Sequence, residues 1–247
     1  LTAMEAPSSF NADALRDEKV KVLCALRPMD APKVKENTFR AQYVSGVVGG
    51  SRVPGYKDEG AVAPASTTET LMAARLYVDN WRWAGVPFYL LSGKRLPARC
   101  TQIAIQFKQV PLSLFNWSNM AGSAPNVLIL NLQPDESITL TFGAKAPGPI
   151  DQIAPSMMKF DYQTEFGVEP PDAYERLLLD AFQGDAALFT RTDEVVAQWA
   201  FTQQILDGWS SAGSKNLPVY EAGTWGPQGL EDFLARDGRK WKFPGGL

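Results

Sequence analysis

Hydrophobic and polar residues partly alternate along the middle of the chain, in segments rich in the β-branched and aromatic residues of strands. These segments are TTETLMAARLYVD (67–79), VPFYLL (86–91), TQIAIQFK (101–108), NVLILNLQ (126–133), ESITLTFG (136–143) and MMKFDYQTE (157–165). The first also suits a helix because of its Ala, Leu and Met residues, but its alternation favours a strand. No helix-length segment separates the others, so we expect mainly antiparallel pairing.

Helical patterns stand on both sides of the strand region. They predict a helix that Asn11 caps and Ala12 begins, one that begins at Asp172 and stops at Gly184, one that Thr192 caps and that runs to about Trp209, and a short one from Glu231 to Arg236. Residues 45–66, rich in Gly, Pro and Ser, are interpreted as a long loop. The order of elements predicts the α+β class, with a large, mainly antiparallel sheet and helices covering one face.

The composition is that of an ordinary globular protein, with 247 residues of which 45% are hydrophobic. The net charge of −3 gives no basic footprint, so nucleic-acid binding is not supported. No apolar stretch approaches the roughly 18 residues of a membrane helix, and no signal-peptide pattern opens the chain. Cys24 and Cys100 match no disulfide or thiolate-metal spacing, so we expect a reducing, cytoplasmic compartment.

Two absences restrict the chemistry. The chain contains no histidine, which removes the usual general base and metal ligand and excludes a serine triad. Gly46, Gly49 and Gly50 lack a flanking strand-to-helix switch, so we expect no dinucleotide-binding domain in this chain. With no histidine and no thiolate spacing, we also expect no metal site. The chain also begins at Leu1 rather than methionine, which we interpret as the interior of a longer protein, although a processed N-terminus would give the same start.

A cationic turn follows the apolar run VPFYLL. Lys94, Arg95 and Arg99 come directly after Ser92-Gly93. Cations on a tight turn leaving a buried strand suit an anionic or polyhydroxylated ligand, while a solvated hairpin is the simpler alternative.

Other charged positions leave similar choices. In PDAYERLL, Tyr174 and Arg176 could contact a ligand, but a capped helix that buries Tyr174 is the favoured interpretation. The adjacent acids Asp58–Glu59 and Asp193–Glu194 are interpreted as solvated loop or helix-start residues rather than an acid–base pair.

Several segments together resemble the C-terminal domain of glucose-6-phosphate dehydrogenase. They are RLYVDNWRWAGVPFYLLSGKRL, NLQPDE, PDAYERLLLDAFQGD followed by LFTRTDEVVAQW, and YEAGTWGP, with RAQY, VPGYKDEG and TTET upstream. The resemblance runs in order from Leu1 to about Phe243. It implies that residues 1–247 form one such domain.

The resemblance also implies an activity and site residues. Members of the family oxidise glucose 6-phosphate to the lactone and pass hydride to NADP, at the start of the oxidative pentose phosphate route. Lys94 matches the family's substrate-contacting lysine, Arg99 a basic position that reaches the sugar phosphate, and Gln133 a weaker substrate contact; Arg95 is expected to face solvent. The family's sheet forms its dimer interface, so a homodimer or a tetramer of dimers is expected.

The family's catalytic histidine, its phosphate-holding motif and its glycine-rich nucleotide turn belong to the segment before Leu1. The resemblance therefore implies that no catalytic residue lies in this chain, that NADP is bound by an N-terminal domain, and that these 247 residues alone are inactive. The alternative hypothesis is a non-catalytic platform for dimerisation or docking of a partner.

Overall fold

A computed structural model describes residues 1–109, 125–148, 153–167, 173–213 and 217–244. The chain divides into two compact units: one comprises Leu1–Pro97 and Asp172–Trp241, the other Ala98–Pro171 and Lys242–Leu247. The assignment of the whole chain to one domain stays a prediction. In the described part of the chain, none of the helices combines the length and hydrophobicity that crossing a bilayer requires.

The elements follow one another in an order that confirms the α+β class. They are α1 (Ala12–Cys24), α2 (Ala31–Asn37), β1 (Thr38–Val44), β2 (Gly46–Val48), β3 (Ser51–Val53), a 3-10 turn (Tyr56–Asp58), β4 (Leu71–Tyr77), β5 (Pro87–Gly93), β6 (Thr101–Gln106), β7 (Val127–Gln133), β8 (Ser137–Lys145), β9 (Ile153–Asp161), α3 (Tyr162–Phe166), α4 (Ala173–Gln183), α5 (Thr192–Ala212), β10 (Val219–Glu221) and α6 (Gln228–Ala235).

The first unit is built on a four-stranded sheet in the order β10-β1-β4-β5. β4 pairs antiparallel with both β1 and β5, while β10 runs parallel to β1 and places Tyr220 opposite Tyr43. β4 alternates in the sequence yet is buried at most positions, including Leu71 and Ala73. A central strand with neighbours on both sides therefore underlies the candidate site.

Helices α2 and α5 pack in the hydrophobic core of this unit. The core cluster includes Val34, Ala74, Ile205 and Trp209. The indole N–H of Trp209 donates to Thr38 Oγ1 at 2.7 Å, which satisfies its polar edge inside the core. At the start of the chain, α1 begins at Ala12 as predicted, because Asn11 Oδ1 accepts from the N–H of Ala14 at 2.8 Å.

The second unit is a four-stranded antiparallel sheet in the order β6-β7-β8-β9. Its register places Gln133 opposite Thr101, with an irregularity between Thr101 and Gln102. Asp161 ends β9 and caps α3, because its carboxylate accepts from the N–H of Thr164 at 3.1 Å.

Several expectations require correction. Among the described residues, the strands form two four-stranded sheets and a hairpin rather than one large sheet. The segment 45–66 is not all loop, because β2 and β3 pair across Gly49-Gly50, whose positive φ angles of 56° and 82° fit a tight hairpin turn. MMKFDYQTE is a strand only as far as Asp161. The predicted helix start at Asp172 lies outside the described residues. At the other end, α4 stops directly before Gly184, whose φ of 72° is in the left-handed region that favours glycine.

Candidate functional site

The candidate site begins where β5 ends, at the turn that carries Lys94. β5 pairs with β4 along its whole length, with Gly93 opposite Leu71. The backbone N–H of Lys94 then donates to the carbonyl oxygen of Thr70 at 2.8 Å, which continues this pairing by one residue. The apolar run before the turn therefore fixes the point from which Lys94 projects.

The Lys94 side chain is exposed to solvent. Within the described ranges of the chain, its ammonium group has no hydrogen bond and no ion pair. An unpaired cation next to a fixed backbone is available to an external anion without first breaking an internal contact. The binding role of this turn stays a prediction, since an exposed lysine on a solvated hairpin would have the same surroundings.

Arg95 differs from Lys94, since its guanidinium is already paired. Its Nη2 lies 3.0 Å from Glu59 Oε1, and the Tyr43 hydroxyl donates to the same carboxylate oxygen at 3.0 Å. Hydrogen bonds from Arg95 and then from Tyr43 lower the pKa of Glu59. Arg95 is exposed, as expected, but its charge is balanced on the protein surface.

The backbone at Arg95 adopts an uncommon conformation, with φ at 53°. The N–H of Gly223 donates to the Arg95 carbonyl at 2.7 Å. Gly223 itself permits no side chain, because a Cβ there would lie 1.9 Å from the carbonyl oxygen of Val47. The YEAGTWGP segment thus places a glycine against the turn to hold the left-handed residue.

A buried hydroxyl lies directly beneath the turn. Tyr220 is 3% exposed, and its hydroxyl donates to the Lys94 carbonyl at 2.7 Å. The same oxygen lies 3.2 Å from Thr70 Oγ1, which accepts from the N–H of Tyr43 at 2.9 Å. Burial raises the pKa of Tyr220, so this hydroxyl stays protonated and able to donate.

Arg99 and Gln133 lie in the second unit, whereas Lys94 lies in the first. Gln133 ends β7 and faces Thr101, the first residue of β6, and Arg99 precedes that residue by two positions. The structure therefore brings Arg99 and Gln133 to one end of the β6–β7 pair. Both side chains are exposed.

The expectation that Tyr174 is buried is wrong, because 77% of this residue is exposed. The helical pattern places Tyr174 on the inner face. In the structure, the buried residue among the described side chains of α4 is instead Asp180, which forms an ion pair with Arg176 Nε at 3.0 Å.

The acidic pairs belong to local structure. Asp193 and Glu194 stand in the first turn of α5, as interpreted, and Asp193 pairs with Arg191 Nε at 2.8 Å. Glu194, however, is 8% exposed rather than solvated, and its Oε1 accepts from Gln198 Nε2 at 3.4 Å. No group of three or more candidate metal ligands occurs among the residues that the structure describes. Cys24 and Cys100 are both free thiols.

Sequence reasoning missed the residues that hold the turn: Thr70, Tyr220, Gly223 and Glu59. Tyr220 and Gly223 occur in YEAGTWGP, and Glu59 occurs in VPGYKDEG. Both segments contribute to the family resemblance, but neither indicates a role for these three residues. Tyr220 lies more than a hundred positions from Lys94 in the sequence, so no local pattern can indicate their contact.

The fold and the turn define an α+β protein that presents, on a fixed strand end, a lysine with no partner among the residues that the structure describes. Comparison with known proteins gives the family. The family model described as "Glucose-6-phosphate dehydrogenase, C-terminal domain" matches residues 1–242. The chain belongs to this family.

Similar proteins agree over the whole chain. The glucose-6-phosphate 1-dehydrogenase of Aggregatibacter actinomycetemcomitans is 48% identical over 100% of this chain and 49% of its own length. That of Bacillus subtilis is 44% identical over 98% of this chain and 49% of its own length. The chain thus spans about half the length of the curated relatives that it matches.

Solved structures show the same likeness. A glucose-6-phosphate dehydrogenase in complex with its substrate glucose 6-phosphate superposes with a TM-score of 0.84 at 32% identity, over 98% of this chain and 48% of the other. The enzyme from Mycobacterium avium gives a TM-score of 0.77 at 32% identity, over 99% and 48%.

Proposed function

We propose that this chain is the C-terminal half of a glucose-6-phosphate dehydrogenase and that Lys94 binds the phosphate of the substrate. The complete protein oxidises glucose 6-phosphate to 6-phosphogluconolactone, the first oxidative step of the pentose phosphate route. The observation that carries the proposal is the Lys94 ammonium, which has no partner in the described part of the chain and stands on a turn whose backbone is bonded on both sides. A solved relative described with glucose 6-phosphate supports the choice of ligand.

The chemistry of the ligand suits the proposed contacts. A phosphate monoester offers several strong acceptor oxygens, which a lysine binds as a point charge and an arginine binds through two parallel N–H groups. We assign Lys94 and Arg99 to the phosphate and Gln133 to a neutral, weaker contact with the substrate. Arg95 is left out, because Glu59 already balances its charge.

The glycine pair of this chain does not fit the nucleotide. Gly49 and Gly50 join two strands of a hairpin, whereas a dinucleotide pyrophosphate needs a glycine turn that opens a helix. We therefore assign NADP to another part of the complete protein, and no step of hydride transfer is derived from this chain. Its own role is to bind and orient the sugar phosphate.

Binding energy explains why we expect these residues alone to be inactive. Charge-assisted hydrogen bonds contribute on the order of 1.5–3 kcal/mol each. Association costs about 4–15 kcal/mol. Two such contacts contribute about 6 kcal/mol at most, so the net binding free energy is about −2 kcal/mol at best, a dissociation constant of roughly tens of millimolar or weaker. The sequence also contains no histidine, the usual general base near neutral pH.

We also propose a homodimer, or a tetramer of dimers, that forms through sheet surface. In the second unit, Met157 and Met158 on β9 are 55% and 63% exposed, on opposite faces of one strand. β9 pairs only with β8 among the described residues, which leaves an edge of the sheet uncovered. The free thiols suit the proposed cytoplasmic location. Light scattering of the purified protein tests the assembly, and a monomer at micromolar concentration would contradict it.

The enzymatic proposal is tested with protein expressed from the complete reading frame that encodes these residues. Formation of NADPH at 340 nm is measured against glucose 6-phosphate concentration. We expect Lys94→Met to raise KM by about ten- to a hundredfold, because it removes one charge-assisted contact. Lys57→Met, which neutralises an exposed lysine of the 3-10 turn, is the matched control and should leave KM unchanged.

A purified wild-type protein that gives no NADPH from glucose 6-phosphate would contradict the enzymatic proposal. It would support the alternative of a non-catalytic dimerisation or docking platform. Equal effects of the two lysine substitutions would remove Lys94 from the site without affecting the assignment to the family.

A further inference from the structure

The turn that carries Lys94 is held by buried groups that none of the proposed substrate contacts explains. Both backbone polar groups of Lys94 are bonded: its N–H donates to the Thr70 carbonyl at 2.8 Å, and its C=O accepts from the Tyr220 hydroxyl at 2.7 Å. Two bonds on either side of one Cα fix the direction of the Cα–Cβ bond. The exposed ammonium therefore starts from a defined position although its side chain touches nothing within the described residues.

The hydroxyl groups beneath the turn form a series of hydrogen bonds that run in one direction. The N–H of Tyr43 donates to Thr70 Oγ1, Thr70 O–H donates to the Tyr220 oxygen, and Tyr220 O–H donates to the Lys94 carbonyl. Their donor–acceptor distances are 2.9, 3.2 and 2.7 Å. Each hydroxyl then accepts once and donates once, and the Tyr220 hydroxyl has the Thr70 carbonyl at 3.2 Å as a second, longer acceptor.

Burial makes this network rigid. Tyr43, Thr70 and Tyr220 are 6%, 8% and 3% exposed. The Tyr220 ring also packs edge-on against the Tyr43 ring, with centroids 6.3 Å apart. Water has no easy access to replace the Tyr220 hydroxyl, so loss of this group leaves the Lys94 carbonyl without its partner.

We infer that Tyr220 is a positioning residue for substrate binding: its buried hydroxyl fixes the backbone of Lys94 and so the direction in which the lysine ammonium leaves the turn. This inference rests on the proposed function, because it gives Lys94 a substrate to bind. Tyr220 itself does not touch the substrate. It acts by preorganisation, which spares the ligand the loss of affinity that ordering a mobile turn would bring.

The first test measures the turn directly and needs no activity. In the protein from the complete reading frame, Tyr220→Phe removes only the hydroxyl and keeps the ring. We expect hydrogen exchange of the Lys94 amide to accelerate by about tenfold or more, since the bond to Thr70 then lies on a looser turn. Tyr89→Phe is the matched control, because it removes a tyrosine hydroxyl that is bonded to Asp237 instead.

Unchanged exchange at Lys94 in Tyr220→Phe would overturn the inference. If that variant does not populate the native state, Thr70→Val replaces it. This substitution removes the hydroxyl that donates to Tyr220, and we expect a smaller acceleration at the same amide. No acceleration there would equally overturn the inference.

The second test asks whether Tyr220 acts through Lys94. We expect Tyr220→Phe to raise KM for glucose 6-phosphate by roughly three- to tenfold with kcat little changed. In a Lys94→Met background, the same substitution should have no further effect on KM, because the group that it positions is gone. A full additional rise in that background would show a merely structural role and contradict the inference.

The two tests separate the inference from the proposal beneath it. If the wild-type protein does not turn over glucose 6-phosphate, the proposed function fails. The exchange of the Lys94 amide still decides whether Tyr220 holds the turn.

Discussion

Gly208 lies where α5 meets α2, and its lack of a side chain lets the two helices touch. A Cβ on Gly208 would lie 2.7 Å from Val34 Cβ and 2.8 Å from each of its two methyl carbons. Val34 is 1% exposed, so it has little free space into which to move. Overpacking of this kind costs about 1–3 kcal/mol, and contacts this short place it near the upper end.

The helix propensity of alanine opposes this effect, since it favours Gly208→Ala by about 1 kcal/mol. We therefore expect Gly208→Ala to lower the free energy of unfolding by about 2 kcal/mol. Val34→Ala alone should also lower it by about 2 kcal/mol, through lost burial and a cavity. In the double variant the two short contacts to the Val34 methyl carbons are gone and the new methyl group occupies part of that cavity, while the contact to Cβ, which alanine keeps, remains.

The double variant should therefore be more stable than the sum of the two single changes predicts, by about 1 kcal/mol or more. Urea unfolding followed by far-UV circular dichroism gives the four free energies, with equal m-values as the check on a common unfolded state. Additivity within about 0.5 kcal/mol would refute the account of the α2–α5 contact.

Three further changes test the first unit. Burial and then the hydrogen bond to Asp237 raise the pKa of Tyr89. The protonated hydroxyl therefore contributes to the free energy of unfolding below about pH 10, and this contribution is lost as the pH rises further. Tyr89→Phe should flatten the alkaline limb of a curve of stability against pH. Burial acts to raise the pKa of Asp237, but hydrogen bonds from Tyr89 and Arg75 lower it overall. The carboxylate therefore contributes to the free energy of unfolding above about pH 4, and this contribution is lost as the pH falls. Asp237→Asn should flatten the acid limb of the same curve. Asn11→Ala should remove the cap of α1 and destabilise by about 1 kcal/mol in thermal melts, whereas an unchanged midpoint would contradict the cap.

Local patterns predicted most strands but not their partners. Alternation and β-branched residues marked the segments that became β4 to β8, because side chains on a pleated strand face opposite sides. Which strands share a sheet depends on contacts far apart in sequence, and so the division into two four-stranded sheets could not be inferred. β10 has only three residues and pairs with β1 in parallel, about which a local pattern carries no information.

Two other elements were missed for local reasons. The short helix α2 carries its signals, with Asp30 accepting from the N–H of Lys33 at 3.0 Å and a proline in its first turn, but its few residues give no periodicity. The hairpin of β2 and β3 was hidden by its glycines. The Gly49-Gly50 pair is a strong turn signal when short apolar runs flank it, and Val47-Val48 precedes it.

The candidate site was predictable in its exposed part. The cationic turn after an apolar run is visible in the sequence, although that run forms the edge strand β5, which has no fully buried residue. Lys94 is exposed and unpaired within the described ranges. Its supports were not predictable. The sequence does not indicate that the Tyr220 hydroxyl bonds to the turn rather than to some other group. The pairing of Arg95 with Glu59 depends on a loop, distant in sequence, that lies against the turn.

The most direct test of the central claim compares two substrates that differ only in the phosphate. In the protein from the complete reading frame, kcat/KM is measured for glucose 6-phosphate and for glucose, in wild type and in Lys94→Met. If Lys94 binds the phosphate, the preference for glucose 6-phosphate over glucose falls by about ten- to a hundredfold while the value for glucose stays the same. An unchanged preference, or an equal loss for both sugars, would contradict the claim.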